Sequence, residues 1–470
     1  MKAPQDLEFT PPDDAVWEID SLHSPRPLTA MGESIFCEPQ TEGWRSLAER
    51  YGMLVNGPER RTVHRFGYTT LRGAIGSGKP SGPPRRWQLW LALRLHPVLR
   101  ARRAAANRAW KGQLWRDDLR LWDTEAKPLN IARHRQLLAL ELESLTDAEL
   151  ATHIEECHLQ ACDMARQHAY FNGVAFNPLG DFLAHVLDWT GLEGPEVITL
   201  FQGLSPLSSG WVPELDALVE ALRDDSEAQE ILGSERGAGE MLNALLALPG
   251  PVGDATAAYR DVVGYRVVGG YDVGDPCAIE SPALLVGAIR KAVAGEARVL
   301  SPDAKRETAE LRSRVPDQHR AQFDELLDYA RQTFRVRDER ALYTDTCAVG
   351  ILRRALLAGG ERLTERGRLQ SSEHFVEATL EEATALLRTG DGPSDAELAE
   401  RERYRLSYSY LDAPARLGPE PGASAPLEWL PNDGLLRGTR AMVALLSNLL
   451  DPADTGLHEV GVRGTPASVG

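Results

Sequence analysis

The densest concentration of chemically versatile side chains lies in RVRDERALYTD, residues 335–345. If this stretch is helical, one or two adjacent faces carry Arg337, Asp338, Glu339, Tyr343 and Asp345. Such a set can orient an acceptor hydroxyl and balance the charge of a moving phosphoryl group, because a guanidinium matches phosphate geometry. A helix surface laced with ion pairs explains the same pattern, and spacing alone favours that interpretation.

A second stretch, GAIGSGKP at residues 73–80, nearly matches a phosphate-binding loop, with Gly73, Gly78 and Lys79 in the required places. That motif needs Ser or Thr after the lysine to hold magnesium. Here Pro80 follows, and it also lacks a backbone donor. We therefore predict a flexible, exposed loop rather than a nucleotide site.

A third stretch, HIEECH, places His153, Cys157 and His158 near one another on a predicted helix. The HExxH zinc motif needs its histidines four residues apart, on one face. These two are five apart and diverge around the helix. We expect partly exposed helix residues and no metal site.

Residues 85–120 combine ten Lys or Arg with four tryptophans and only two acidic residues. This mixture suits single-stranded nucleic acid, a membrane surface or an acidic partner domain. An amphipathic helix pair with inward-packed tryptophans gives the same pattern. We favour the helix pair and expect no nucleic-acid or membrane partner, because the chain's formal charge of −17 disfavours both.

The elements that must position these residues are mostly helices, since apolar residues recur at three- and four-residue steps. Thr146 and Glu149 predict a capping box. A hairpin is predicted at 262–273, turning at Gly269-Gly270, and 17–80 reads as irregular segments with short strands. Helices are predicted at 86–122 with a break near Pro97, then at 136–171, 178–190, 213–223, 226–233, 237–247, 281–293, 302–313, 317–358 with a break near 336–345, 376–388 and 432–449.

The predicted fold is therefore mainly α, two-lobed, with short strands or a small hairpin. A chain of 470 residues exceeds one compact core, which favours two or three lobes. Five scattered cysteines without a CxxC pair and an acidic, proline-rich start predict a reduced, cytoplasmic protein.

Several segments, in order, resemble the central region of phosphoenolpyruvate-synthase-like phosphotransferases, a group that includes rifampin phosphotransferase and phenylphosphate synthase. The opening segment is WEIDSLHSPRPLTAMGESIF, residues 17–36. DWTGLEGPEVITLFQGLSPLSS and YRVVGGYDVGDPCAIESPALLVGAI are similar to later turns. The most specific similarity is RVPDQHRAQFDELLDYARQTFRVRDERALYTDTCAVGILRRALLAGGERL, with its Arg- and acid-rich centre.

The resemblance implies a division of labour. In the family, an ATP-grasp domain takes phosphate from ATP with Mg²⁺, a swivelling domain carries it on a histidine, and the central region presents the acceptor. We therefore expect this chain to bind a small, aromatic or natural-product acceptor, with ATP, Mg²⁺, the ATP-grasp and phosphohistidine domains supplied by other parts. The chain lacks both domains in this interpretation: a flexible tail at 1–16, a lobe at 17–125, a helical acceptor-binding body at 126–450 and a linker at 451–470 towards an absent swivelling domain.

The resemblance also implies site residues. Arg337 is expected to contact the phosphoryl group or acceptor, and Glu339 and Asp338 to orient the acceptor or take its proton. His23 and Arg26 are expected on the opposite wall. The acceptor pocket is expected to include His168, Tyr170, Phe171 and Tyr343. The alternative hypothesis is a non-catalytic small-molecule-binding or partner-docking module on the same scaffold.

Overall fold

The computed structural model describes residues 2–76, 78, 82–201, 205, 207, 211–295 and 304–450. Helices make up 68% of the described residues, and the strands among them form one small antiparallel sheet. The predicted mainly α class is therefore confirmed. Part of the predicted loop at 73–80 lies outside the described residues. The whole predicted linker at 451–470 lies outside them.

The sheet has four short strands in the order β2-β3-β1-β4, each antiparallel to its neighbour. The strands are β1 (Trp17–Ile19), β2 (Val55–Val63), β3 (Phe66–Gly73) and β4 (Arg416–Leu417). The hairpin turn between β2 and β3 consists of His64 and Arg65, both with positive φ (52° and 72°). Two successive positive φ angles match the twist of a hairpin and normally select Asn-Gly. A His-Arg pair therefore gives no sequence signal.

The predicted hairpin at 262–273 is wrong. Residues Pro251–Val263 form a helix, and the following segment makes a single antiparallel bridge between Val267 and Cys277. The β-branched run VVGYRVV suggested a strand, but its first two residues, Val262 and Val263, end a helix that packs in the core.

Most α-helices follow one another with short connections, and the longest connections are the segment that contains β2 and β3, the loop after residue 263 and residues 408–433. In chain order they are α1 (Ala30–Phe36), α2 (Glu38–Tyr51), α3 (Arg86–Leu95), α4 (Pro97–Lys111), α5 (Trp115–Leu121), α6 (Lys127–Leu138), α7 (Asp147–Tyr170), α8 (Asn172–Thr190), α9 (Gly194–Ile198), α10 (Pro213–Arg223), α11 (Ser226–Gly233), α12 (Ala238–Ala247), α13 (Pro251–Val263), α14 (Pro282–Val293), α15 (Ala304–Arg314), α16 (Arg320–Phe334), α17 (Val336–Ala341), α18 (Cys347–Glu365), α19 (Ser372–Val376), α20 (Leu380–Arg388), α21 (Asp395–Ser407) and α22 (Gly434–Leu445). Three π-helical turns extend helices, at Trp122–Ala126, Leu342–Thr346 and Leu446–Leu450.

The predicted cap of α7 and the two predicted helix breaks are confirmed. The capping box of α7 forms, because Glu149 accepts from the Thr146 backbone N–H at 2.8 Å and Thr146 Oγ1 accepts from the Glu149 N–H at 3.3 Å. The break near Pro97 separates α3 from α4. The predicted break in the long helical run occurs at Thr344, whose backbone leaves helical geometry between α17 and α18.

Two large hydrophobic cores hold the helices together. The first surrounds Phe182, which contacts the rings of Phe201 and Phe323 at centroid distances of 5.6 and 5.5 Å. The second runs along α7 and α18 and includes Met31 from α1. Trp122 belongs to the first core and Met31 to the second, so both cores include side chains that precede residue 126. The division into two lobes near residue 126 stays a prediction.

The structure bears on three further expectations, which concern the N-terminal tail, the cysteines and membrane-spanning helices. In the predicted tail, Phe9 packs against the rings of His64 and Phe66, and Ala15 is fully buried. All five cysteines are free thiols and are buried. Among the described residues, no helix combines the length and the apolar character that a bilayer crossing requires.

The expectation of inward tryptophans in 85–120 holds for only half of them. Trp110 and Trp115 are buried and contact each other, whereas Trp87 and Trp90 on α3 are more than half exposed. The mixture of basic and aromatic residues predicts one amphipathic helix pair, but Leu93 is the one buried residue of α3.

Candidate functional site

Three segments that are far apart in sequence meet beside the helix break at Thr344. They are the opening turn (residues 20–29, between β1 and α1), the long loop (residues 264–277, after α13) and the α17 segment (residues 336–346). The Val267 N–H donates to the Thr346 carbonyl at 3.1 Å and so fastens the long loop to the break. The Thr29 N–H donates to Asp272 at 3.0 Å and fastens the opening turn to the same loop.

His23 lies in the opening turn as half of a histidine–carboxylate pair. Its Nδ1 is 2.9 Å from Oδ1 of Asp20, and its backbone N–H donates to the same oxygen at 3.0 Å. Asp20 is buried and also accepts from Nε of Arg60 at 3.3 Å. Burial raises the pKa of Asp20, but the hydrogen bonds and charges of His23 and Arg60 outweigh it and hold that pKa well below its usual range. The ionised carboxylate fixes Nδ1–H as the donor, so Nε2 is the basic nitrogen of the neutral ring.

Tyr271 of the long loop lies between the opening turn and the α17 segment. Its ring centroid is 5.4 Å from that of His23. Burial raises the pKa of the Tyr271 phenol, Asp345 and Asp20 raise it further, and Arg340 and Arg337 lower it. Charges from two distant segments therefore converge on one half-buried aromatic ring.

Arg337 supplies the most available cation in this group. Its side chain is 40% exposed, and its only ion-pair contact among the described residues is Nε to Oδ1 of the neighbouring Asp338, at 3.4 Å. The guanidinium carbon lies 5.4 Å from the centre of the Phe334 ring. Oδ2 of Asp338 is buried without a hydrogen-bond partner within the described part of the chain. The guanidinium fork is thus free to bind an oxyanion in two-pronged fashion.

Behind this surface, His168 is clamped between two charged residues of the α17 segment. Its Nδ1 is 2.9 Å from Oδ1 of Asp345, and Arg340 donates a hydrogen bond to its Nε2. A nitrogen that accepts from arginine carries no proton, so Nδ1–H must donate to Asp345. Burial, followed by the charge of Arg340, lowers the pKa of His168 to about 4. Burial also lowers the pKa of Arg340 to about 10.

Two buried polar atoms of this clamp stay without partners among the described residues, namely Nε of Arg340 and Oδ2 of Asp345. Both side chains are more than nine-tenths buried. Unpaired polar atoms at such depth are uncommon and mark water, ligand or functional positions. The charges of both side chains act on the Tyr271 phenol, since Asp345 raises its pKa and Arg340 lowers it.

Glu339 lies on the other side of α17. It accepts from the indole N–H of Trp122 at 2.9 Å and pairs with Arg335 at 2.7 Å and Lys127 at 3.1 Å. Burial raises its pKa, but these three donors more than compensate and the pKa lies below its usual value. Two residues along a helix turn the side chain by about 200°, which separates Glu339 from Arg337.

Three of the expected pocket residues also lie away from His23. Tyr343 is buried beside Lys127, whose ammonium nitrogen is 5.0 Å from the ring centre. Phe171 packs against Trp122 at 4.9 Å between centroids. Burial, followed by the charge of Asp118, raises the pKa of Tyr170 to about 12. His168 is buried, and its hydrogen bonds with Asp345 and Arg340 are structural.

Arg26 is exposed in the opening turn, where its charge lowers the pKa of Asp275, a carboxyl whose pKa burial raises overall. The structure thus places His23 against Tyr271 and pairs Arg337 with Asp338, and the charge of Arg337 lowers the pKa of the Tyr271 phenol. The contacts of Glu339, Tyr343, Phe171 and Tyr170 involve other groups, namely Trp122, Lys127 and Asp118.

Sequence reasoning missed Asp20, Tyr271 and Arg340. Asp20 stands three residues before His23, a spacing that permits the local pair and could have been noticed. Tyr271 and Arg340 carry no such signal, because only tertiary packing brings residues 20, 271 and 340 together.

Two cavities in the described part of the structure lie outside this site. One, of about 510 Å³, is bordered by Trp110, Asp181 and Arg437 between α4, α8 and α22. The other, of about 370 Å³, is bordered by Arg65, Glu397 and Arg401. The charges at both are largely used internally, since Arg437 pairs with Asp181 at 2.6 Å and Arg401 with Glu382 at 2.6 Å.

The HIEECH segment is buried more deeply than expected. His153 and Cys157 are buried, with Nε2 and Sγ 3.4 Å apart, so the expectation of partly exposed residues is wrong for both. Within the described ranges, no cluster of three or more His, Cys, Asp or Glu has the geometry to hold a metal ion.

Comparison with known proteins bears on the middle of the chain. Residues 174–338 match the sequence model of a family described as the rifampicin phosphotransferase fourth domain. A comparison with curated proteins found no match. The matched region begins in α8 and ends within α17, so it contains Tyr271, Arg337 and Asp338 but not His23. Residues 174–338 are therefore similar to the fourth domain of rifampicin phosphotransferase, and this similarity supports the predicted resemblance to the central region of phosphoenolpyruvate-synthase-like phosphotransferases.

Proposed function

We propose that this chain presents the acceptor in a phosphoryl transfer from a phosphohistidine that another domain or chain carries. That carrier is charged by an ATP-grasp domain that uses ATP and Mg²⁺. The acceptor is a small aromatic or natural-product hydroxyl compound held against Tyr271. The observation that carries the proposal is the convergence of His23 and Arg337 on Tyr271 from positions more than 300 residues apart.

The required chemistry is a proton transfer coupled to the movement of a phosphoryl group. The acceptor oxygen forms a bond to phosphorus while the bond between phosphorus and the carrier histidine breaks. The hydroxyl proton moves to Nε2 of His23, and the electron pair of the broken bond stays on the carrier ring. Asp20 supports this role, because a buried carboxylate on Nδ1 stabilises the imidazolium that forms.

Arg337 supplies positive charge to the phosphoryl oxygens. Because its guanidinium has only one long contact with Asp338, binding an oxyanion does not first require breaking a strong internal pair. Arg340 is a positioning residue, since it is buried and holds His168 rather than facing outward. We assign Glu339 no role in the transfer, because its carboxylate already interacts with Trp122, Lys127 and Arg335.

The test is reconstitution. The full chain is mixed with the purified ATP-grasp and phosphohistidine domains of rifampicin phosphotransferase, ATP labelled at the γ-phosphate, and a panel of phenols and rifamycins. We expect labelled acceptor only when the chain is present. The variants His23→Gln and Arg337→Ala should each reduce transfer about 100-fold or more, as loss of a charge-stabilising group does.

Matched controls exist for both variants. His374 also pairs through Nδ1 with a carboxylate, Asp395 at 2.6 Å, and Arg166 has the same 40% exposure as Arg337. His374→Gln and Arg166→Ala should leave transfer unchanged. Binding of a panel compound without transfer under any condition would instead favour the non-catalytic binding module.

A further inference from the structure

Helix α3 presents an apolar face to solvent. Trp87, Trp90, Leu91 and Leu95 have exposed fractions of 59, 52, 40 and 67%. Their spacing of three, four and eight residues places them on one side of the helix. Leu93, on the opposite side, is 2% exposed and seats α3 on the body. This contiguous stripe faces away from the body and has no partner in the described structure.

Basic side chains lie on and next to the same helix. Residues 85–116 contain nine Lys or Arg and no Asp or Glu, in a chain with 52 basic against 69 acidic residues. Among the described residues, no ion pair involves Arg86, Arg94 or Arg100. Arg94 lies within the stripe, with its guanidinium carbon 4.1 Å from the centre of the Trp90 ring.

We propose that the face of α3 formed by Trp87, Trp90, Leu91 and Leu95 is a docking surface for an acidic amphipathic helix of a partner protein. Two amphipathic helices that pack side by side bury their apolar stripes against each other, and opposite charges on either side of the stripes determine which helices pair. A partner helix with leucine- or phenylalanine-type residues on one face, bordered by Asp and Glu, satisfies both the apolar stripe and the arginines. The inference is independent of the proposed function.

The composition favours a protein over other anionic partners. Tryptophan and arginine are the residues most enriched in protein–protein hot spots, and acidic residues and lysine are depleted there. Arg94 stands inside the apolar stripe, where a bilayer would have to accommodate its charge among the acyl chains.

A second copy of this chain is a poor occupant. Symmetric pairing of two α3 stripes would bring the unpaired Arg94 side chains of both copies together without any acid between residues 85 and 116. An asymmetric contact would not close and would propagate. Charge complementarity therefore points to a different, acidic protein.

The test selects binders from a phage-displayed library of random 16-residue peptides against the full chain. We expect enriched peptides to carry Asp or Glu flanking Leu or Phe at helical spacing. The affinity of a synthetic copy should fall about 30-fold for Trp87→Ala and for Trp90→Ala, the loss expected at a hot spot. Leu411→Ala, a 78% exposed leucine outside the stripe, should leave the affinity unchanged.

The salt dependence supplies a second readout. Affinity of the selected peptide should fall as ionic strength rises, and Arg94→Gln should reduce that dependence. Enriched peptides without acidic residues would overturn the proposal, as would binding that survives both tryptophan variants. So would α3-dependent self-association, or α3-dependent binding to vesicles containing phosphatidylserine or to a 20-nucleotide oligo(dT).

Discussion

The clamp on His168 makes the stability of this protein depend on pH in a defined way. The pKa of His168 is about 4 in the folded protein because the ring is buried and Arg340 donates to it. In the unfolded chain the ring has the ordinary value near 6.5. Between these two values the unfolded state binds one more proton than the folded state, so acid favours unfolding and the free energy of unfolding rises with pH.

The size of the effect follows from the shift. A difference of about 2.5 pKa units corresponds to about 3 kcal/mol, developed between pH 4 and 6.5 at a slope of up to about 1.4 kcal/mol per pH unit. The stabilisation is fully present above pH 6.5 and is lost as the pH falls towards 4. His168→Gln keeps an acceptor for Arg340 and a donor for Asp345 but cannot titrate, so this variant should lack that part of the slope.

The assay is urea unfolding followed by fluorescence at half-unit steps from pH 4.5 to 7, for wild type and variant. The difference between the two curves isolates one histidine from all other groups. His134→Gln serves as a positive control, since burial also lowers the pKa of His134 to about 4. If His168→Gln leaves the wild-type slope intact while His134→Gln reduces it, the inferred clamp is wrong.

Two further predictions concern the packing that positions the long loop. Arg353→Ala should destabilise the protein by about 3–5 kcal/mol, because the 3% exposed guanidinium pairs with two carboxylates, whereas Arg366→Ala, at 53% exposure, should cost less than about 1 kcal/mol; urea midpoints compare the two. Gly350→Ala should lower the free energy of unfolding, since a Cβ there would lie 1.6 Å from the Tyr265 carbonyl oxygen. Gly287→Ala, whose added Cβ would have nothing within 4 Å, should raise that free energy by roughly 0.5–1 kcal/mol. Equal effects of the two alanines would contradict the close approach of the loop to α18.

Much of the helical framework follows from local sequence. The helices at 213–223 and 226–233 have the predicted bounds, because three- and four-residue apolar spacing agrees with Pro213 at the start of the first and the Asp225 cap of the second. The segment 17–80 was harder, since α1 and α2 contain Gly32, Pro39 and Gly43 and resemble irregular chain. There the glycines allow close packing, as a Cβ on Gly43 would lie 2.3 Å from the Arg166 carbonyl oxygen.

The candidate site was only partly predictable, for a reason of geometry. Charged residues at 335–345 stood out, but spacing does not say which face of a helix meets which distant segment. Glu339 therefore looked equivalent to Arg337, although α17 turns it towards Trp122. Tyr271 had no local signal, because its neighbours come from both ends of the chain. Likewise, Trp87 and Trp110 looked alike, yet only Trp110 is buried.

The measurement closest to the central claim is a double-mutant cycle on His23 and Arg337 in the reconstituted transfer reaction. If both side chains act on one acceptor beside Tyr271, each single variant should lose about 100-fold in rate or more, and the double variant should lose far less than the product of the two. Losses that simply multiply, or a His23→Gln variant as active as His374→Gln, would mean that the two residues serve no common site.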